Sequence, residues 1–445
     1  MEENQNLLNF KITSTSLLKY ALPTILSSIF MNVYSIVDQL FVSNILGTEA
    51  LSAVSIASPF LAIALAIGTM IATGGSALVS KEMGEGKDNL ARQNFSFFTL
   101  FCVVVSTIFC ILGLIFRKPI LHFMGADEAL FVLCESYAVP IFLLIPFAML
   151  SIIFEIFFVS AGKPGLGFGL SIAGGIANIV LDYLFLAVIP LGVKGAAYAT
   201  AIGYILQSII GTVFFFMNRK GSLYFVAPSF NGKALAQSCY NGMSEMIGML
   251  AITITMIAMN IILMRLVGSD GVASATIILS ASTILSSIYA GYIQGIGPVI
   301  SYHYGAKNYS ELEALCRIAL KTILIMSIIT FISSFPLARP IAMLFADGSV
   351  TVLNMAVRGT YIFAIGFLFM GFNYFASGFF TALNDGKTSA IISLFRTLVF
   401  LIIPLVIFPH FWGVDGVWIS LPFAELLSII LSIYYLKKYK NKYHY

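Results

Sequence analysis

The sequence predicts an all-α membrane protein: twelve transmembrane helices in two pseudo-symmetric six-helix bundles of the same topology around a central cleft. Three observations predict it. Only 10% of the 445 residues are charged and 59% are hydrophobic, with mean hydropathy +0.96, whereas soluble domains carry about 25% charged residues. Apolar runs recur along the whole chain, each of the roughly 20 residues needed to cross a hydrocarbon core of about 30 Å. Finally, the second half repeats the first.

Charges, Gly and Pro punctuate the runs into spans near 17–46, 50–80, 90–116, 130–160, 165–189, 195–217, 236–267, 271–302, 311–336, 353–382, 388–409 and 414–437. The longest non-apolar connection, NRKGSLYFVAPSFNGKALAQ from Asn218 to Gln237, falls between the sixth and seventh. The expected organisation is a tail over 1–16, a first lobe over 17–217, a connection over 218–235, a second lobe over 236–437 and a basic tail over 438–445. A shift of 221 residues sets Gly47 on Gly268, Gly74 on Gly295, Ser80 on Ser301, Gly84 on Gly305 and Pro119 on Pro340. The shift is 224 for Tyr137/Tyr361, Gly162/Gly386 and Lys163/Lys387, and returns to 221 where LGVKG meets WGVDG. An even number of spans per half gives repeats of like topology, related by an axis along the membrane normal. Two such bundles are the usual build of an alternating-access transporter.

Lys and Arg placement sets the orientation. With a cytoplasmic N-terminus the inner side holds Lys11, Lys19, Lys81, Lys87, Arg92, Lys163, Arg219, Lys220 and Lys233, then Lys307, Arg317, Lys321, Lys387, Arg396, Lys437, Lys438, Lys440 and Lys442. That is nine in each half, eighteen of the 24, so both termini are expected inside a cell (inner) membrane. The polar residues 1–16 precede an apolar run too long for a signal peptide, so a tail rather than a leader is expected. A net charge of +4 offers no nucleic-acid patch, and the five cysteines lack metal or disulfide spacing. The absence of P-loop or HExxH patterns gives ATP drive and zinc chemistry no support, and neither an enzyme activity nor a cofactor is expected.

Five acids lie inside spans: Asp38, Glu155, Asp182, Glu245 and Glu425. An intramembrane carboxylate costs about 2.5–3.5 kcal/mol even on lenient scales and is functional by default. At 1.5 Å per helical residue, Asp38 lies about 30 Å and Asp182 about 25 Å from the inner side, while Thr200 lies about 8 Å below the outer end of its span. The three share one layer. Tyr34 precedes Asp38 by four residues and Asn178 precedes Asp182 by four, so each pair shares a helix face. Tyr34, Asp38, Asn178, Asp182 and Thr200 therefore form one expected polar nest, a coupling site and not a catalytic one. Two repelling, poorly solvated carboxylates titrate as a unit; they either hold one proton reversibly or surround a Na+ ion with Asn178 and Thr200. Asp38 falls on Met259 in the repeat, and Asp182 on Ile403 or Val406, so coupling is asymmetric. Glu155 reads as a snorkelling or helix-end residue; Glu245 as a group for a cationic substrate; Glu425 carries no role of its own, and all three are candidate cavity residues. Pro23, fifteen residues before Asp38, makes the first helix a candidate hinge. The segments GKPGLGFG (162–169) and GYIQGIG (291–297) are candidate small-residue packing faces, the second the better one.

These residues resemble the multidrug and toxic compound extrusion (MATE) transporters over roughly 15–437: two six-helix repeats, VDQLFVSNILG closing the first helix, and NIVLDYLF in the fifth. The likeness is greatest to the DinF-like branch. It implies proton or sodium binding at Asp38 and Asp182, with Tyr34, Asn178 and Thr200 around them and Pro23 at the bend of the first helix. The NorM-like branch also uses a second-lobe carboxylate pair with one acid in the tenth span; 353–382 contains none. The expected function is export of small amphipathic, often cationic compounds by a monomer in the lipid bilayer, in exchange for inward H+ or Na+. The rivals are a lipid-linked oligosaccharide flippase of the same superfamily, a membrane-embedded transferase and a passive channel.

Overall fold

The computed structural model describes residues 7–345 and 349–445; the first six residues of the expected tail lie outside them. Among the described residues the chain is helical, and twelve helices are long and apolar enough to cross a membrane. They are Ser14–Leu46, Glu49–Gly84, Asp88–Ile115, Phe131–Ser160, Pro164–Val188, Val193–Met217, Gly232–Val267, Ser269–Gly305, Tyr309–Met343, Val350–Ala382, Gly386–Ile407 and Pro409–Tyr443. Each expected span therefore exists, with ends shifted by up to seven residues. Backbone groups in hydrocarbon have no water to bond, so the helix, which satisfies them within one segment, is what such a sequence forms. The helices leave large apolar residues uncovered: Val180, Phe216, Ile252, Ile325 and Ile430 are each more than half exposed.

Turn geometry explains part of the repeat. Gly47 and Gly268 have φ of +85° and +74°, and Gly192 and Gly413 have +64° and +54°. A side chain is strained in that left-handed region, so both copies keep glycine where one span hands over to the next. Two spans are interrupted by π-helical turns, Tyr183–Val188 in the fifth and Phe395–Val399 in the eleventh. The first ends on an i to i+5 bond from Ile189 N–H to the Leu184 carbonyl. Pro190, which has no N–H, follows at once.

The chain divides into two compact units. One holds Met1–Asn9 and Leu26–Gly242; the other holds Phe10–Ile25 and Met243–Tyr445. The cuts fall inside helices, two residues after Pro23 in the first span and at Gly242 in the seventh. Each unit thus contains the opening segment of the other repeat's first helix.

In the first unit, Phe95, Phe154, Phe157, Phe158 and Phe215 are fully buried and pack ring on ring. The connection after Met217 is laid onto this core: Phe225 stacks on Phe95 at 5.1 Å, Arg92 donates to the Ser222 carbonyl at 2.9 Å, and Val226 N–H donates to Ser96 Oγ at 3.0 Å. The second and seventh spans approach to backbone contact, for a Cβ on Gly74 would lie 1.9 Å from the Ser238 carbonyl oxygen. In the second unit Trp418 and Phe363 anchor a core that includes Met259, the residue aligned with Asp38. There Gly295, in the better of the two expected packing segments, abuts Ala21 and Thr24 of the first span. Gly165 and Gly169 of the weaker segment meet nothing within 4 Å and form no packing face.

Candidate ion-coupling site

The first unit brings the expected nest together. Asp182 is 0% exposed, at the last α-helical residue before the π-turn. Asp38, half-buried on the first span, comes within hydrogen-bonding reach of it when one of the two is protonated. Without that proton, Asp38 Oδ1 and both carboxylate oxygens of Asp182 find no donor. No Lys or Arg among the described residues pairs with either acid. A buried carboxylate in that condition is costly, because the desolvation of its charge is not offset. The pair thus combines two acids with three carboxylate oxygens that accept no hydrogen bond.

Asn178 is buried one turn before Asp182, and its Nδ2 donates to Thr200 Oγ1 over a long 3.4 Å. Its Oδ1 has no donor, which adds a further unsatisfied oxygen to the cluster. Close approach of the fifth and sixth spans makes the contact: a Cβ on Gly203 would stand 3.0 Å from the Gly174 carbonyl oxygen. Tyr34 lies within electrostatic reach of Asp38 and faces Tyr204 on the sixth span.

Two residues of this neighbourhood escaped the sequence reading. Tyr204 follows Thr200 by four, so the spacing rule that linked Tyr34 to Asp38 was available for it. Tyr137, buried on the fourth span, lies within electrostatic reach of both aspartates. Nothing along the chain marks it, because the proximity exists only between spans.

The remaining acids divide differently from expectation. Glu155 does not snorkel: its Oε1 accepts from Ser27 Oγ at 2.9 Å, which ties the fourth span to the first. Ser27, Tyr34 and Asp38 stand at i, i+7 and i+11, one stripe of the first helix. Glu425, a candidate cavity residue, is instead 3% exposed and paired with Arg396 at 2.9 Å. Glu245 is partly exposed, within electrostatic reach of Arg396 but outside ion-pair distance. Pro23 lies inside a helix continuous from Ser14 to Leu46. Among the described residues no cluster of three metal-ligating side chains occurs.

A family description, MatE, matches residues 23–184 and 246–407, once in each half. A curated relative, the multidrug export protein MepA of Staphylococcus saprophyticus, is 24% identical over 431 residues, covering 95% of this chain and 93% of its own length. Two solved structures share the fold. A MATE protein in complex with MaL6 has TM-score 0.94 at 20% identity, over 100% of this chain and 99% of its own. A variant of the Vibrio cholerae MATE transporter VcmN has TM-score 0.89 at 19% identity, over 96% and 97%.

Proposed function

The chain belongs to the MatE family of multi-pass membrane transporters, and from that premise we propose that it is a secondary active multidrug exporter. It expels small amphipathic, often cationic compounds in exchange for an inward-moving ion, by alternating access. It acts in the cell membrane as a monomer with both termini cytoplasmic, and it performs no catalysis. The two lobes expected from the sequence, 17–217 and 236–437, alternate about the connection 218–235, with the tails 1–16 and 438–445 inside. The single observation that supports the coupling is the pairing of Asp38 with buried Asp182 where three of their carboxylate oxygens have no donor and no Lys or Arg among the described residues pairs with either.

A proton fits that site first, since one proton between the facing carboxyls converts two unsatisfied groups into a donor and an acceptor. A sodium ion is the second reading, favoured by Asn178 Oδ1, which also lacks a donor and sits beside Thr200. In either case the ion and the drug each weaken the other's binding by the same factor. Pro23, two residues before the unit boundary, is where the first helix bends as the ion enters or leaves. Glu245, free of an ion pair, meets the cationic group of the substrate.

The test is transport in proteoliposomes with each gradient imposed alone. A pH gradient is expected to drive uphill movement of a cationic dye, and a sodium gradient without a pH gradient to leave it unmoved. Sodium drive would replace the proton by the second reading. Dye movement indifferent to both gradients would make the protein a passive channel.

Thr200→Val, an isosteric change, removes the hydroxyl that accepts from Asn178. Its expected effect is a 2- to 10-fold weaker apparent affinity for the coupling ion, the equivalent of about 0.5–1.5 kcal/mol for one hydrogen bond. The length of that bond favours the lower end. An ion titration superimposable on wild type would remove Thr200 from the site.

A further inference from the structure

The second unit carries its own buried charges, arranged with the opposite logic. Arg396 sits on the π-helical turn Phe395–Val399 of the eleventh span, as Asp182 sits against the π-helical turn of the fifth. Its Nε donates to Glu425 Oε1 and Oε2 at 2.9 and 3.1 Å, and a terminal nitrogen reaches Oε1 at 2.9 Å. The Tyr374 ring lies under the guanidinium at 4.0 Å. Asn373, fully buried, donates to Glu425 Oε2 at 2.7 Å and to the Glu425 carbonyl at 3.0 Å, and Ser432 Oγ donates to Asn373 Oδ1 at 2.8 Å. Carboxylate, aromatic face and amide together make a satisfied cation site, in which both Glu425 carboxylate oxygens and the Asn373 amide oxygen and nitrogen have partners. The first unit's acids have the carboxylates but not the cation.

We propose that Arg396 is a tethered cation: it permanently fills a monovalent-cation site built on Glu425, Asn373 and Tyr374, so that only the first unit exchanges ions with solution. Arg suits this post because it stays charged at any physiological pH, carries a fork of donors that matches a carboxylate, and stacks on an aromatic ring. The site holds a charge that cannot leave by diffusion. Glu245, outside ion-pair distance of Arg396, is the one acid of this cluster left for an external cation. The consequence for transport rests on the reading of Asp38 and Asp182 above; the existence of the cation site does not.

Removing the tether tests it by chemical rescue. Purified Arg396→Ala leaves Glu425 buried and unpaired, and its thermal midpoint is expected to fall below wild type. Millimolar guanidinium chloride, or sodium chloride in a separate arm, is then expected to raise that midpoint by roughly 3 °C or more, as a ligand binding only the folded state does. N-methyl-D-glucamine chloride at equal ionic strength serves as the control, and wild type should not respond. Glu425→Gln added to Arg396→Ala should abolish the response. If Arg396→Ala does not fold, Arg396→Gln takes its place in the same titration.

A folded single variant that ignores both cations, or a response that survives Glu425→Gln, overturns the proposal. So does failure of both single variants to fold in sodium-containing medium while the double variant folds, since no solution cation would then replace the side chain. Because the readout is stability and not transport, an error in the first-unit reading leaves this result standing.

Discussion

Asp38→Asn is expected to reduce ion-driven efflux at least about 10-fold, within the 5- to 150-fold span that a coupling free energy of 1–3 kcal/mol produces. The substitution keeps the shape of the side chain and removes its ability to take up an ion with a change of charge. It should not harm folding. The new amide offers a donor to Asp182, whose two oxygens otherwise have none, so the thermal midpoint should equal or exceed that of wild type. The signature is therefore a split: a stable protein that still binds dye but no longer moves it against its gradient. Proteoliposomes carrying an imposed pH gradient, then an imposed sodium gradient, measure the first half; thermal unfolding in detergent measures the second. Undiminished uphill transport would remove Asp38 from the coupling site.

The second large effect concerns packing. Gly74→Val is expected to destabilise the protein by about 3 kcal/mol or more, at or beyond the top of the ordinary overpacking range. A Cβ at Gly74 would stand 1.9 Å from the Ser238 carbonyl oxygen and 2.8 Å from the Gly242 nitrogen, and one at Gly242 would stand 1.9 Å from the Met70 carbonyl oxygen. All these neighbours are backbone, which cannot rotate aside as a side chain does. Two helices would have to separate along their length. Gly165→Ala, where nothing lies within 4 Å, is the control and should change stability by less than about 0.5 kcal/mol. Gly295→Val, which meets the Thr24 hydroxyl and the backbone and side chain of Ala21, should fall between them. Thermal midpoints of the purified variants rank the three; a Gly74 variant as stable as the control would show that the helices are free to part.

The fold was legible because its cause is local. A hydrocarbon core demands about 20 apolar residues per crossing, and each run announces itself without reference to any other. The repeat was legible through glycines such as Gly47 and Gly268, whose backbone angles admit few alternatives. Asp38, Asp182, Asn178 and Thr200 could be grouped because depth and four-residue spacing are one-dimensional quantities. Where a contact depends on which faces of two spans meet, the sequence is silent. Tyr137 beside the aspartates, Ser27 on Glu155 and Arg396 on Glu425 all belong to that class. The π-helical turns were equally hidden: they add one residue to a turn and leave the apolar pattern almost unchanged.

The helix boundaries that cut the first and seventh spans have a bearing on ancestry. A half-length forerunner, before duplication, would have lacked the opening turns that complete its own core. It could close only by lending those turns to a second copy and borrowing the same from it, as swapped homodimers do. A fusion of two such copies would keep that exchange within one polypeptide, with the seam running through two helices and not through the connection 218–235.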